Sequence, residues 1–356
     1  MTTSNVSTLG QLLENNARLN DVRRQLNTLQ LQLSSGKKTD VFSGLGDQGS
    51  RSLRVRVEIN QIDVFQSNID IGRTRLRETV QTLEDFSTQA KNFADSMAFA
   101  QQQGNIDIQS LREGARAAMV YLRDLLNSRD GDRFILAGAD SFVAPIDAGA
   151  AHDTYLSGQI EAWRTGTLTT ATLKTNYTGT PETTMGYSAA LSSNLVRNNF
   201  IRADVNTEVD YTLTGDQEGF KRILNAIGMM ANMDLDKVAL DDGDNPALVK
   251  TAPGATRTEQ KEEFFSLFEH MIKEINGGIN NLRTENQRLE RADVVLGSIR
   301  ADHIIDRNTL ETTLGQIEDA DPAEVAVKIN ALQTQLEASY QVTALLGSLS
   351  LSRFIG

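Results

Sequence analysis

This sequence predicts a mainly α fold: a long antiparallel, coiled-coil-like helical bundle formed by both chain ends, with a small β-rich insertion domain. Three observations carry that expectation. Apolar residues at both ends recur at alternating steps of three and four, the spacing of helices that bury one narrow face. Aromatic residues are only 6% of the chain against 39% hydrophobic, so its cores rest on Leu, Ile, Val and Ala, as in helix bundles. Between residues 134 and 215 the chain turns to Thr, Gly, Ser and Ala in short alternating runs, which read as strands and turns.

The first helix is expected from about Thr8 to Ser34, with Leu12, Leu19, Val22, Leu26, Leu29 and Leu33 on one seam and Asn15 in its gap. Ser34-Ser35-Gly36 stops it. Residues 36–50 are glycine-rich and polar, and read as a loop. The clearest helix follows, on Ile62, Phe65, Ile69, Gly72, Leu76, Thr79, Leu83, Phe86, Ala90, Phe93 and Met97. At a rise of about 1.5 Å per residue it forms a rod more than about 50 Å long. Gln101 to Asn105 ends it, and a shorter helix carries Ile108, Leu111, Ala115, Ala118, Leu122 and Leu125. Within the insertion, Thr167–Thr178 and Val205–Leu213 alternate as strands do. Helical spacing returns over Gly219–Met233, and Asp234–Thr258 reads as an acidic loop. From Glu259 a seam resumes through Phe268, Ile272, Ile275, Ile279, Leu282, Leu289 and Leu296, broken by Asn286 and Asp293, then runs on raggedly through Ile304 and Leu310. Asp321-Pro322 starts a last helix, the aspartate as cap and the proline in the first turn, with Val325, Ile329, Leu332, Leu336, Leu346 and Leu349 on its face.

Three parts follow from this reading: terminal axial helices at 1–50 and 311–356, a helical rod at 51–133 and 216–310, and a β-rich outer domain at 134–215. Seams this narrow must bury against something. The expected assembly interface is therefore Leu19, Val22, Leu26, Leu29 and Leu33 of the first helix with Ile329, Leu332, Leu336, Leu346 and Leu349 of the last.

Composition excludes several classes of function. The net charge of −12 argues against nucleic acid and against a polybasic membrane patch. Two arginine clusters, Arg51/Arg54/Arg56 and Arg73/Arg75/Arg77, read as solvated faces paired with carboxylates such as Glu58 and Glu78. With no cysteine there is no disulfide, thiolate metal site or thiol catalysis. No run of about 18 apolar residues suggests a membrane span. Met1–Gly10 lacks the basic and apolar regions of a cleavable leader.

Chemical motifs lead nowhere further. Gly44-Leu45-Gly46-Asp47-Gln48-Gly49 matches GxGxxG, but dinucleotide binding needs a strand before it, and a helix precedes it here. His152, His270 and His303 have no ligand partners at metal spacing. Asp241, Asp242 and Asp244 hint at calcium, but the closing glutamate of an EF-hand loop is missing. Asn176-Tyr177-Thr178 fits a glycosylation sequon by pattern alone. No enzyme and no cofactor are expected.

Leu33-Ser34-Ser35-Gly36-Lys37-Lys38, directly after a heptad helix, resembles the L-S-S/T-G signature of bacterial flagellins and their hook-associated relatives. Arg133-Phe134-Ile135-Leu136-Ala137-Gly138 resembles the segment leading out of the helical core in hook–filament junction proteins. Leu336-Glu337-Ala338-Ser339-Tyr340, Ser348-Leu349-Ser350-Leu351 and Ile317-Glu318-Asp319-Ala320-Asp321 are similar to the closing part of the same proteins. The I-N-S-A-x-D-D-A-A-G run that flagellins carry after L-S-S-G is replaced by Thr39–Gly49. The resemblance covers roughly the first 140 and last 100 residues. It implies a structural subunit of the flagellum, placed between a hook-associated protein on the hook side and flagellin on the filament side. Copies of the chain would assemble with one another, with the terminal helices around the axis. It further implies type III export without a cleavable signal, an extracellular location, and an export chaperone among the partners. Filament flagellin is the alternative within the same family.

Overall fold

The computed structural model describes residues 3–102, 106–138, 140–193, 198–235 and 250–355, and over 3–9, 11–12 and 346–355 it describes the backbone. The chain is 76% helical, so the mainly α class holds. No described helix is long and apolar enough to cross a membrane. In order, the elements are α1 (Thr3–Ser35), a 3-10 turn (Phe42–Gln48), α2 (Gly49–Gln102), α3 (Ile108–Leu126) and the hairpin β1 (Arg129–Asp130) to β2 (Arg133–Phe134). Then come α4 (Ala150–Arg164), α5 (Thr170–Thr178), α6 (Glu182–Met185), α7 (Ala189–Ser192) and the hairpin β3 (Phe200–Arg202) to β4 (Glu208–Asp210). The chain finishes with α8 (Glu218–Ala231), α9 (Arg257–Glu318) and α10 (Pro322–Ile355). Residues 103–105, 236–249 and the Asp241/Asp242/Asp244 cluster lie outside the described residues.

Two compact units are present: residues 1–64 with 302–356, and residues 65–301. In the second unit the α2 seam is buried from end to end. Ile69, Phe86, Ala90 and Met97 are fully enclosed, and Leu76, Thr79, Leu83 and Phe93 nearly so. The facing seam of α9 buries Phe268, Ile275, Leu282, Leu289 and Leu296. Polar pairs fix the two helices antiparallel: Gln101 with Glu269, Glu84 with Asn286, and Asp70 with Arg300.

Three residues that break these stripes have specific uses. A Cβ at Gly72 would lie 2.4 Å from Ile201, so the missing side chain admits the β3–β4 hairpin. Asp293 accepts two hydrogen bonds from Arg73, at 2.7 and 2.8 Å. Asn286 donates to Glu84 and Glu290. Within the arginine clusters Arg51, Arg54, Arg56 and Arg77 are exposed, as expected of solvated faces, while Arg73 and Arg75 are half-buried. Arg73 reaches across to another helix, and Arg75 faces Asp130 of the hairpin rather than Glu78.

α8 lies at the centre of the second unit, with Phe220, Ile223, Leu224, Ile227, Met229 and Met230 all fully buried. It approaches α9 at two glycines. A Cβ on Gly219 would come within 2.9 Å of the Gly278 carbonyl, and one on Gly278 within 2.7 Å of the Gly219 carbonyl. Only glycine permits backbones this close.

The β1–β2 hairpin leads into the insertion, whose described residues form the β3–β4 hairpin and the helices α4 to α7. Thr167–Thr178 corrects the sequence reading, because Thr170–Thr178 is helix α5 rather than strand. The Thr169 hydroxyl caps it by accepting from the Thr172 amide at 3.1 Å. Thr170, Leu173 and Tyr177 then form one buried helical face. Tertiary packing of that face outweighs the β preference of the threonines. Of the second alternating run, Val205–Leu213, only Glu208–Asp210 is strand. The Tyr177 hydroxyl meets His270 Nδ1 at 2.6 Å, joining α5 to α9. The sequon asparagine Asn176 donates to Gln159 at 2.7 Å.

His152 on α4 is buried and holds two other helices. Arg123 of α3 donates to its Nδ1 at 3.2 Å, which leaves the proton on Nε2 to donate to Asn225 of α8 at 2.9 Å. Burial pushes its pKa down to about 4, and the neighbouring Arg123 charge adds to that. The unfolded imidazole takes its proton near 6.5, so the unfolded state binds more protons between those two values. Stability therefore falls as pH drops from about 6.5 to about 4, by about 3 kcal/mol over the whole window. Between pH 7 and 5 the wild-type protein is expected to lose clearly more thermal stability than His152→Gln. Equal losses in the two would remove His152 as the cause.

Candidate assembly site

α1 and α10 pack together within the first unit. α1 ends where Gly36 takes a positive φ of 70°, a conformation that suits glycine. α10 begins at Pro322, capped by Asp321, which accepts from the Ala323 amide at 2.8 Å and the Glu324 amide at 3.3 Å. Both signals had been expected from the sequence.

Leu19, Val22 and Ile329 are buried, and Leu26, Leu29, Leu332 and Leu336 are half-buried. Leu29 and Leu332 line one groove between the two helices. Leu33 departs from the pattern and remains 47% exposed. Leu346 and Leu349 fall where only the backbone is described. Other apolar side chains of the pair stand in solvent, among them Leu13, Leu31, Val327, Val342 and Leu345. The pair thus buries one apolar stripe and displays others. Tyr340 adds a polar tie, accepting from Arg23 Nη2 at 2.6 Å, with the guanidinium also over its ring.

At the base of this pair the segments Gly36-Lys37-Lys38 and Glu318-Asp319-Ala320 interlock as a clasp. The Lys38 amide donates to the Glu318 carbonyl at 2.7 Å, and the Ala320 amide to the Gly36 carbonyl at 2.9 Å. Lys37 pairs with Asp319 at 2.6 Å. Lys38 Nζ covers the last carbonyls of α9, reaching Gln316 at 2.6 Å and Ile317 at 3.0 Å. A cation there also complements the negative end of the helix dipole.

The Glu318 side chain is 7% exposed. It accepts from Arg56 at 2.9 and 2.6 Å and from Ser52 at 2.5 Å, with Lys37 3.5 Å away. The Arg56 hydrogen bonds, helped by Ser52, hold its carboxyl down at about 2. Arg56, on an exposed face as expected, therefore pairs with Glu318 of the clasp rather than with Glu58. Further along, Asp63 pairs with Arg307 at 2.8 Å. His303 is buried. The stretch Gly44–Gly49 lies in the 3-10 turn and at the start of α2.

Sequence reasoning found the seams and both motifs of the clasp, but not that the motifs meet. Glu318 looked like one carboxylate among many in an acidic chain. The available signal was its place in the segment that ends one helix and precedes the cap of the next.

Comparison with known proteins places these same ends. The bacterial flagellin N-terminal helical region matches residues 6–139, and the bacterial flagellin C-terminal helical region matches residues 304–355. Among solved structures, a Vibrio parahaemolyticus chain described as a "putative flagellar hook-associated protein" is similar at 11% identity and a TM-score of 0.42. The likeness covers 76% of this chain and 97% of that one. None of the curated proteins matches in sequence. The two matched regions contain the helix pair, the clasp and the motifs that meet there, and the chain belongs to the bacterial flagellin family.

Proposed function

We propose that this flagellar structural subunit forms the junction between hook and filament. Two features of the sequence support the choice within the family. The Arg133–Gly138 segment, which follows α3 and includes β2, resembles that of junction proteins, and Thr39–Gly49 replaces the run that flagellins carry. In this role, copies assemble side by side through α1 and α10, with a hook-associated protein on one face and flagellin on the other. The apolar side chains that the helix pair leaves in solvent support such assembly. The terminal parts, 1–50 and 311–356, then face the axis, the parts 51–133 and 216–310 form the rod, and residues 134–215 face outward. Export is through the flagellar type III channel with a chaperone, which delivers the subunit outside the cell.

Both matched regions are those of flagellin, which favours filament flagellin as the second reading. Deleting the gene separates the two. Intact hooks with secreted but unattached flagellin are the expected outcome. Hooks with no filament protein at all would transfer the assignment to flagellin.

A further inference from the structure

The groove between α1 and α10 has a volume of about 450 Å³ and is lined by Arg24, Gln25, Thr28 and Leu29 on one side and Lys328, Ala331 and Leu332 on the other. Leu29 and Leu332 are its half-buried apolar members, Thr28 and Ala331 are small and exposed beside them, and each side carries a cation, Arg24 or Lys328. Among the described residues each of these cations pairs locally, Arg24 with Asp21 and Lys328 with Glu324. Such exposed pairs contribute little and exchange easily. The groove therefore suits an apolar knob that brings a carboxylate with it.

The same helix pair carries such a knob. Of the apolar side chains that the described parts of α1 and α10 hold in solvent, Leu13 is followed directly by a carboxylate, Glu14. Leu13 is 63% exposed. Among the described residues Glu14 pairs with Arg18 on its own helix, and that pair is likewise exposed. Leu31 and Leu33 are followed by Gln32 and Ser34, and Val327 by Lys328.

We infer that Leu13 of one copy seats in the Thr28–Ala331 groove of the next copy, with Glu14 against Arg24 and Lys328 at the rim. The inference rests on the assembly role proposed above and names its contact. Knob and groove lie about 14 residues apart on α1, or about 21 Å at the helical rise, so one copy cannot satisfy itself. The contact is heterologous, with different patches on the two copies, and such contacts propagate into rings or open helices.

The absence of cysteine makes a direct test simple. Full-length Leu13→Cys and Thr28→Cys chains, mixed under assembling conditions with a mild oxidant, are expected to form the mixed disulfide at least tenfold faster than either forms a dimer alone. Equal rates, or no mixed product, would overturn the contact. Charge reversal gives an independent arm that leaves the fold alone, because the residues are exposed. Glu14→Lys is expected to raise the concentration needed for assembly at least tenfold, and adding Lys328→Glu to lower it again. Unchanged assembly in the single variant, or no recovery in the double, would count against the pairing. The gene-deletion phenotype does not depend on these residues, so the contact and the junction role fail separately.

Discussion

Phe220→Ala is expected to destabilise the second unit by about 3–5 kcal/mol, the range for emptying a large aromatic site in a closed core. Phe220 is fully buried on α8, and its ring stands edge-on to Phe86 of α2 with centroids 4.8 Å apart. Edge-to-face pairs add about 0.5–1.5 kcal/mol beyond the area they bury. Relaxation into the hole is limited, because α8 is already held against α9 at Gly219 and Gly278. Denaturant unfolding of the purified protein measures the total. A double-mutant cycle with Phe86→Ala isolates the ring pair. A loss below about 1 kcal/mol would mean that the α8 core collapses freely, against the packing described.

The second large effect belongs to Glu318. Removing one partner of a buried pair costs about 3–5 kcal/mol, because the other is left uncompensated. Arg56 is 45% exposed and can return to water, which lowers the expectation for Glu318→Ala to about 2–3 kcal/mol. The loss should appear as faster amide exchange around Lys38 and Ala320, whose amides close the clasp. Acid should imitate the mutation. The folded carboxyl titrates at about 2, below its unfolded value, so its contribution is complete above about 4.5 and disappears as pH falls toward 2. Wild type and variant should converge in stability across that window. A constant difference between them would mean that Glu318 acts through packing and not through its charge.

The two acid responses occupy different windows and different units. His152 weakens the second unit between about 6.5 and 4, where Glu318 still holds the first.

The long helices were legible because one period persists for many turns, with only single polar or glycine interruptions in the clearest of them. Phe65 to Met97 reads as a stripe in the sequence and is a stripe in the structure. The capping signals at Gly36 and Asp321 were legible for a similar reason, since each depends only on neighbours in the chain. Thr167–Thr178 was misread because its alternation competes with a face of three buried residues that only tertiary packing selects. Arg56 and Glu318 were invisible as a pair. Nothing local marks a carboxylate whose partners lie more than 260 residues away. Gly72 likewise looked like a flaw in a stripe until Ile201 was found against it.

The pairing of α2 with α9 also governs the order of events when the chain folds. Asp70 meets Arg300 across 230 residues, and Ser52 meets Glu318 across 266. Closing loops of that length costs entropy before any contact returns it, and topologies dominated by such contacts fold slowly. A chain emerging N-terminus first would present the whole α2 stripe long before its partner existed. The part of the α2 face that α9 covers must therefore wait open, and the clasp can close only after residues 318–320 have arrived.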